Sequence, residues 1–142
     1  MRRNGACFLP VLAMLLMAGC GSTWVDDAAN FKRIYGFDKP NGVQVMPSYY
    51  WKAPKWRGTN YRYYIAQRGP VGFATDTAMG SAMMKREPSN SSARLGCGAA
   101  PPDWFVPKAP EQYDMWVSIF SPGIRVFKDK DDNTIFSCVR NP

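Results

Sequence analysis

Histidine is absent from this 142-residue chain, and only two glutamates, Glu87 and Glu111, occur in it. Without histidine there is no Ser-His or Cys-His nucleophile pair, no His-ligated zinc or haem, and no side chain that titrates readily near neutral pH. Lysine is the remaining base for a nucleophile, yet no Ser-x-x-Lys spacing occurs. Glycosidase-type acid/base work needs two carboxyls at a set separation, and both glutamates stand beside proline in expected loops, which leaves an Asp pair as the weakest surviving route to catalysis. A phosphate-binding glycine loop is missing, as is any internal repeat. The chain is therefore expected to be non-enzymatic and to carry no cofactor.

Charge is also sparse. Only 20% of residues are charged, whereas 46% are hydrophobic and 14% aromatic, too apolar for a disordered chain. Twelve glycines and twelve prolines argue against a bundle of long helices. One small, loop-rich domain containing strands is what this length and composition permit.

Arg2 and Arg3 precede an apolar stretch from Phe8 to Met17, interrupted by Pro10 and followed by the small residues Ala18 and Gly19. This order is that of a secretory signal, and the stretch is too short to span a bilayer as a mature helix. The run Leu16-Met17-Ala18-Gly19-Cys20 further resembles the lipobox of bacterial lipoproteins, with Met17 where Leu is commoner. The resemblance implies cleavage before Cys20, lipid on its thiol and acylation of the new amino terminus. Gly21, where an inner-membrane retention signal often has Asp, favours outer-membrane sorting in a Gram-negative cell. The alternative is an ordinary signal peptide with Cys20 as a bystander. The expected division is a signal at 1–19, a lipidated tether at 20–33 and one periplasm-facing domain at 34–142.

Removing residues 1–19 takes Arg2, Arg3 and Cys7, leaving 16 cations against 11 anions. With Cys20 consumed by lipid, Cys97 and Cys138 form the natural disulfide of an oxidising compartment, the alternative being two free thiols. Their loop of 41 residues would gain about 4 kcal/mol in the chain-entropy model.

Strands are expected at 43–46, 61–67, 71–74, 115–120, 124–128 and 134–140, separated by Pro, Gly and Asn. The last three, joined through Ser121-Pro122-Gly123 and the polar run 128–133, read as an antiparallel meander. A helical turn is expected from Asp26 or Asp27 through Arg33. A short helix is expected over 75–87, capped by Asp76, burying Ala78, Met79, Ala82 and Met83 and ended by Pro88. Residues 88–110 read as a loop crossing the surface, stapled to the last strand by Cys97–Cys138. The fold class is thus α+β, mainly β: a small antiparallel sheet or sandwich with one short helix and one disulfide.

Asp129, Asp131 and Asn133 match the first ligands of an EF-hand loop, but Thr134 and Arg140 stand where its glycine and bidentate glutamate belong, so a charged hairpin loop is expected and no metal. Met79, Met83 and Met84 suit copper(I) chemically, although helix-face packing explains the first two more simply. The segment 49–68 is the richest in binding chemistry. Tyr49, Tyr50, Trp51, Trp56, Tyr61, Tyr63 and Tyr64 interleave there with five cations, and no acid occurs from Lys39 to Thr75. Rings supply stacking area and cations supply charge-assisted hydrogen bonds to an anion or glycan. In the strand 61–67 these residues can equally be core, whereas Pro47, Pro54 and Gly58 are expected to leave Trp51 and Trp56 in loops. Trp51, Lys52, Lys55, Trp56 and Arg57 are therefore the candidate partner surface.

The functional expectation is a lipid-anchored accessory or structural module of an envelope assembly of secretion, conjugation or pilus type, held by its lipid at the outer membrane and facing the periplasm. Its partner would be another envelope protein; anionic lipid, glycan and peptidoglycan are further options, and genomic nucleic acid is excluded by location. Alternatives are an inhibitor or immunity lipoprotein that blocks a lytic or toxic enzyme, and a polyanion- or glycan-binding surface protein.

Overall fold

A computed structural model describes residues 21–54, 60–70, 84–88, 97, 101–105, 110–120 and 123–140. Its strands are β1 (Ser22–Val25), β2 (Gln44–Lys52), β3 (Tyr61–Arg68), β4 (Met84–Glu87), β5 (Tyr113–Ser118), β6 (Ile124–Asp129) and β7 (Ile135–Arg140), with one α-helix, α1 (Asn30–Tyr35), and a 3-10 turn at Pro110–Gln112. They form one sheet in the order β1-β2-β3-β7-β6-β5-β4. Every neighbouring pair is antiparallel. The mainly β class and the C-terminal meander β5-β6-β7 are as the sequence predicts, and the one short α-helix stands at Asn30–Tyr35, where the sequence suggests only a helical turn.

The inner strand β3 is buried on both faces. Tyr63 and Ile65 join Phe31, Tyr50, Val126 and Val139 beneath α1, while Tyr64 and Ala66 join Phe105, Phe127, Phe136 and Cys138 on the opposite face. A strand covered twice has no polar face, so its sequence loses the alternation of a half-exposed strand. Its neighbour β2 runs through Pro47, which the sequence suggests should break it. The register shifts between Val45 and Ser48, and such a bulge is one of the few places in a strand that accommodates proline. The Ser48 N–H donates sideways to Asp26 Oδ1 at 2.8 Å, and the Asp26 N–H returns a bond to the Ser48 carbonyl. Trp51 and Lys52 consequently belong to a strand, where the sequence predicts a loop.

Residues 20–33, expected as a tether, include an edge strand and part of the core. Ser22–Val25 pairs with Tyr49–Lys52, and Phe31 is almost fully buried. Asp26 adopts a φ of 49°, which excludes it from a helix. Asp27 instead accepts the Ala29 N–H at 2.8 Å, and α1 begins only at Asn30. Gly36 ends it with a φ of 82°, its N–H returning to the Lys32 carbonyl, the left-handed stop that glycine adopts without steric cost.

The helix expected over 75–87 is corrected at its end. Residues 84–87 are extended and pair with β5 from Ser118 back to Met115. Edge pairing outweighs the weak helical pattern, and exposed Lys85 and Arg86 stand on what is, among the described residues, an edge strand, where charge discourages further pairing. The rest of that helix, the strand at 71–74 and Met79 and Met83 lie outside the described residues. Within the expected surface loop 88–110, Cys97 and Phe105 are both fully buried. Among the described residues of this segment, Cys97, Trp104 and Phe105 pack on this face of the sheet. Cys97 is bonded to Cys138, its carbonyl accepts the Tyr64 hydroxyl at 2.7 Å, and Phe105 stands edge-on to Tyr64, Phe127 and Phe136.

At the β6–β7 turn, Asp129 Oδ1 accepts the N–H of Asp131 and of Asp132, and Asp132 Oδ1 accepts that of Thr134. The apparent calcium-ligand spacing is thus the spacing of a self-capped turn. Among the described residues no group of His, Cys, Asp or Glu is arranged to hold a metal ion.

Because Phe105 and the disulfide secure the same segment, each should matter to stability separately. Urea unfolding should show Phe105→Ala losing about 3–5 kcal/mol, and Cys97→Ser with Cys138→Ser losing about 4 kcal/mol. Alkylation of the unreduced protein should label neither cysteine.

Candidate functional site

Trp51 and Lys52 end β2. Trp51 stands between Thr23 of β1 and Arg62 of β3, and Lys52 between Ser22 and Tyr61. Beyond them the ladder closes with the Ala53 N–H on the Asn60 carbonyl at 2.8 Å. Lys55, Trp56 and Arg57 lie outside the described residues, so the described part of the candidate surface is Trp51 and Lys52.

Register supplies two further members. The Arg62 guanidinium lies 5.8 Å from the Tyr49 ring centre and 5.9 Å from that of Trp51, and it donates to the Tyr49 hydroxyl at 3.5 Å. Its Nε is buried without a hydrogen-bond partner, so the two ring faces provide much of its immediate environment. Cation–π contacts of this kind contribute about 0.5–2 kcal/mol, more as water is excluded. Lys52 is exposed and Trp51 half-buried. The result is a cation held against two aromatic rings on one face, with exposed Lys52 at the same strand end but on the opposite face, groups suited to an anionic or amphipathic partner.

The other aromatics of the segment are structural. Tyr50 stacks near Tyr61 and tilts against Trp24, which in turn lies beneath Arg33 at 4.7 Å. Tyr63 and Tyr64 are core on opposite faces. Strand alternation therefore divides the run, with one face giving Tyr49, Trp51 and Arg62 their shared surface. Tyr49 and Arg62 are visible in the sequence as residue types, but their place beside Trp51 needs the pairing of β2 with β3. Ile119 and Phe120, which the sequence assigns to a strand, lie beyond β5 and are 56% and 74% exposed. The local clue is an apolar pair directly before Ser-Pro-Gly.

Two open grooves lie elsewhere. One of about 620 Å³ is lined by Asp26, Asp27, Lys39, Val43, Met46 and Ser48. Another of about 510 Å³ brings together Glu87, Glu111, Asp114, Tyr113, Arg86 and Lys130. Glu87 ends a strand where the sequence predicts a loop. Asp114 is already paired with Arg86 at 2.5 Å, and Lys130 Nζ donates to the Glu111 carbonyl.

Several phenols are shifted in the core. Burial pushes Tyr35 up to about 12, with bonds to Ser137 and Gln67 opposing the shift; Gln67 Nε2 donates to its hydroxyl at 3.0 Å. Burial likewise holds Tyr63 well above the ordinary tyrosine value, reinforced by neighbouring Tyr35 and Tyr61. Tyr113 is raised by burial first and then by Asp129. These tyrosines are neutral structural groups at physiological pH.

No protein-family model, curated protein or solved structure matches this chain.

The raised phenols set a pH limit on the fold. Between pH 10 and 12 the native state keeps the Tyr35 proton that the unfolded chain releases, so stability must fall as pH rises through this window. Tyr35 alone accounts for a loss of about 3 kcal/mol across it. Urea midpoints measured from pH 8 to pH 12 should decline, and Tyr35→Phe should flatten the decline.

Proposed function

We propose that this chain is a lipid-anchored, non-enzymatic envelope protein that acts as an accessory or structural binding module of a secretion, conjugation or pilus-type assembly. It faces the periplasm from the outer membrane. The observation that carries this reading is the order of Arg2-Arg3, the apolar stretch and Leu16-Met17-Ala18-Gly19-Cys20, directly before the strand that opens at Ser22. A Cys97–Cys138 disulfide suits an oxidising compartment. Among the described residues no helix is long and apolar enough to cross a membrane, so attachment in this proposal is through lipid. Multiple acyl chains hold far more strongly than one, because each buried methylene contributes about 0.8 kcal/mol.

A second reading, an inhibitor or immunity lipoprotein, is favoured by the aromatic-flanked Arg62 with exposed Lys52 at the same end of the strands. Tyr, Trp and Arg dominate protein hot spots, and a basic surface complements an acidic active-site cleft.

Cys20→Ala should abolish membrane retention and leave a longer precursor, read by fractionation and intact mass. Recovery of that variant in membranes at the normal mature mass would overturn the anchor. Co-purification of the wild-type protein in mild detergent separates the two readings: a multi-protein complex supports the assembly module, and a single enzyme partner supports the inhibitor.

A further inference from the structure

Strand register determines which residues share one end of the sheet. Ser22 faces Lys52, Lys52 faces Tyr61, Arg62 faces Arg140, Ile124 faces Val139 and Met84 faces Ser118. The start of β1, the end of β2, the start of β3 and the β5–β6 connection therefore lie on one rim. Trp51, Lys52 and Arg62 stand there, and so do Ile119 and Phe120, the latter the most exposed large apolar side chain described. Two independent features, a cation–aromatic cluster and an exposed apolar pair, thus share this rim.

Charge is distributed unequally between the two rims. No carboxylate occurs in residues 39–75 or 115–128. At the opposite rim lie Asp129, Asp131 and Asp132 of the β6–β7 turn, while Asp27 and Asp38 lie in the connection that leaves β1 and re-enters at the start of β2. Of the cations toward that end, Lys32, Arg33 and Arg68 are ion-paired with Asp38, Asp27 and Asp132, whereas Lys39 and Lys130 donate to the Val43 and Glu111 carbonyls. The fold consequently has one cationic, aromatic rim and one rich in carboxylates, a polarity that orients it in the field of an anionic surface.

Covalent geometry connects the first rim to the anchor. Cys20 is two residues before Ser22, and two residues span at most about 7 Å. Antiparallel partners lie about 5 Å apart, so Lys52 must stand close to any lipid on Cys20. We infer that this rim is a membrane-docking surface seated on a bilayer with anionic headgroups. Ile119 and Phe120 enter the acyl boundary, Trp51 lies at headgroup depth, and Lys52 and Arg62 face lipid phosphates. Tryptophan favours the interface because its ring is apolar and its N–H is polar. The absence of slack between Cys20 and β1 favours a lipid surface over a protein, since a protein on this rim would have to displace the membrane. The inference rests on the lipid-anchor reading and refines it: with one rim on the bilayer, the carboxylate-rich rim is the one presented to the periplasm.

The test uses the processed protein purified from cell membranes and reconstituted into vesicles of phosphatidylethanolamine with phosphatidylglycerol. An environment-sensitive fluorophore is attached at Phe120→Cys or, on the opposite rim, at Asp131→Cys, and the vesicles carry a headgroup spin-label quencher. The Phe120→Cys label should be quenched and blue-shifted, and the Asp131→Cys label should behave as in water. Lys52→Glu, at an exposed position, should reduce quenching in these vesicles, and pure phosphatidylcholine should give less quenching with the parent. Equal quenching at both rims, an unquenched Phe120→Cys label, or shielding of that label only by a co-purified protein would overturn the docking surface. Mass spectrometry of the Cys20 peptide reads the anchor separately. An unacylated Cys20 with a quenched Phe120→Cys label overturns the anchor alone, whereas an acylated Cys20 with an unquenched label overturns the docking surface alone.

Discussion

The pairing of β3 with β7 is the contact on which the rest of the structure depends. It joins Arg62–Gln67 to Ile135–Arg140, and thereby unites an N-terminal set of strands with a C-terminal meander that, among the described residues, has no other direct strand pairing to it. Without this seam the chain would be two narrow sheets, each with open edges and too little apolar area to cover either face. With it, Ile65, Ser137, Cys138 and Val139 become almost completely buried. The partners are about 70 residues apart in sequence, so the seam carries a large closure entropy that the apolar contacts on both faces must offset.

The two faces meet this requirement differently. On one, α1 lays Phe31 over Tyr50, Tyr63 and Ile65, and its position is set by Asn30. That side chain is fully buried and bonds the Trp24 carbonyl, Ser48 Oγ and Arg33. On the other, Cys97 and Phe105 are fully buried, the first held by a disulfide to Cys138 and a hydrogen bond from Tyr64. A helix satisfies its own backbone groups and needs mainly an apolar stripe to dock. A buried backbone carbonyl needs a partner, and the Tyr64 hydroxyl supplies it at Cys97, where the covalent staple also attaches.

In the proposed reading, binding falls to the ends of the strands more than to the faces, since among the described residues both faces are largely committed to packing. The ends sort by charge because the turns do: carboxylates cap the β6–β7 turn and the approaches to α1, while the opposite ends carry tryptophan, lysine, arginine and an apolar pair. A single domain can in this way hold two surfaces of different chemistry without a second domain, with the central strands fixing their relative orientation.

Much of the architecture was legible in the sequence. Alternation and turn residues in the last 28 positions specify the meander, because consecutive strands joined by short turns have few alternatives. Two cysteines left after Cys20 allow only one intramolecular pair. The lipobox resemblance is equally local, a matter of adjacent residues. What the sequence misassigned depended on partners distant along the chain. Pro47 signals a break until Asp26 takes up the Ser48 N–H at the bulge, and residues 84–87 suit a helix until β5 offers them an edge. The 20–33 segment resembles a tether until Phe31 finds the hollow between β2 and β3. The sequence by itself determined the elements whose hydrogen bonds and side-chain alternation are satisfied locally. Only the tertiary structure decided that Trp51 is a strand residue beside Arg62, and that Ser22, Lys52 and Phe120 share a rim. Antiparallel register is set by long-range pairing, and a shift of one residue would send each of these side chains to the other face.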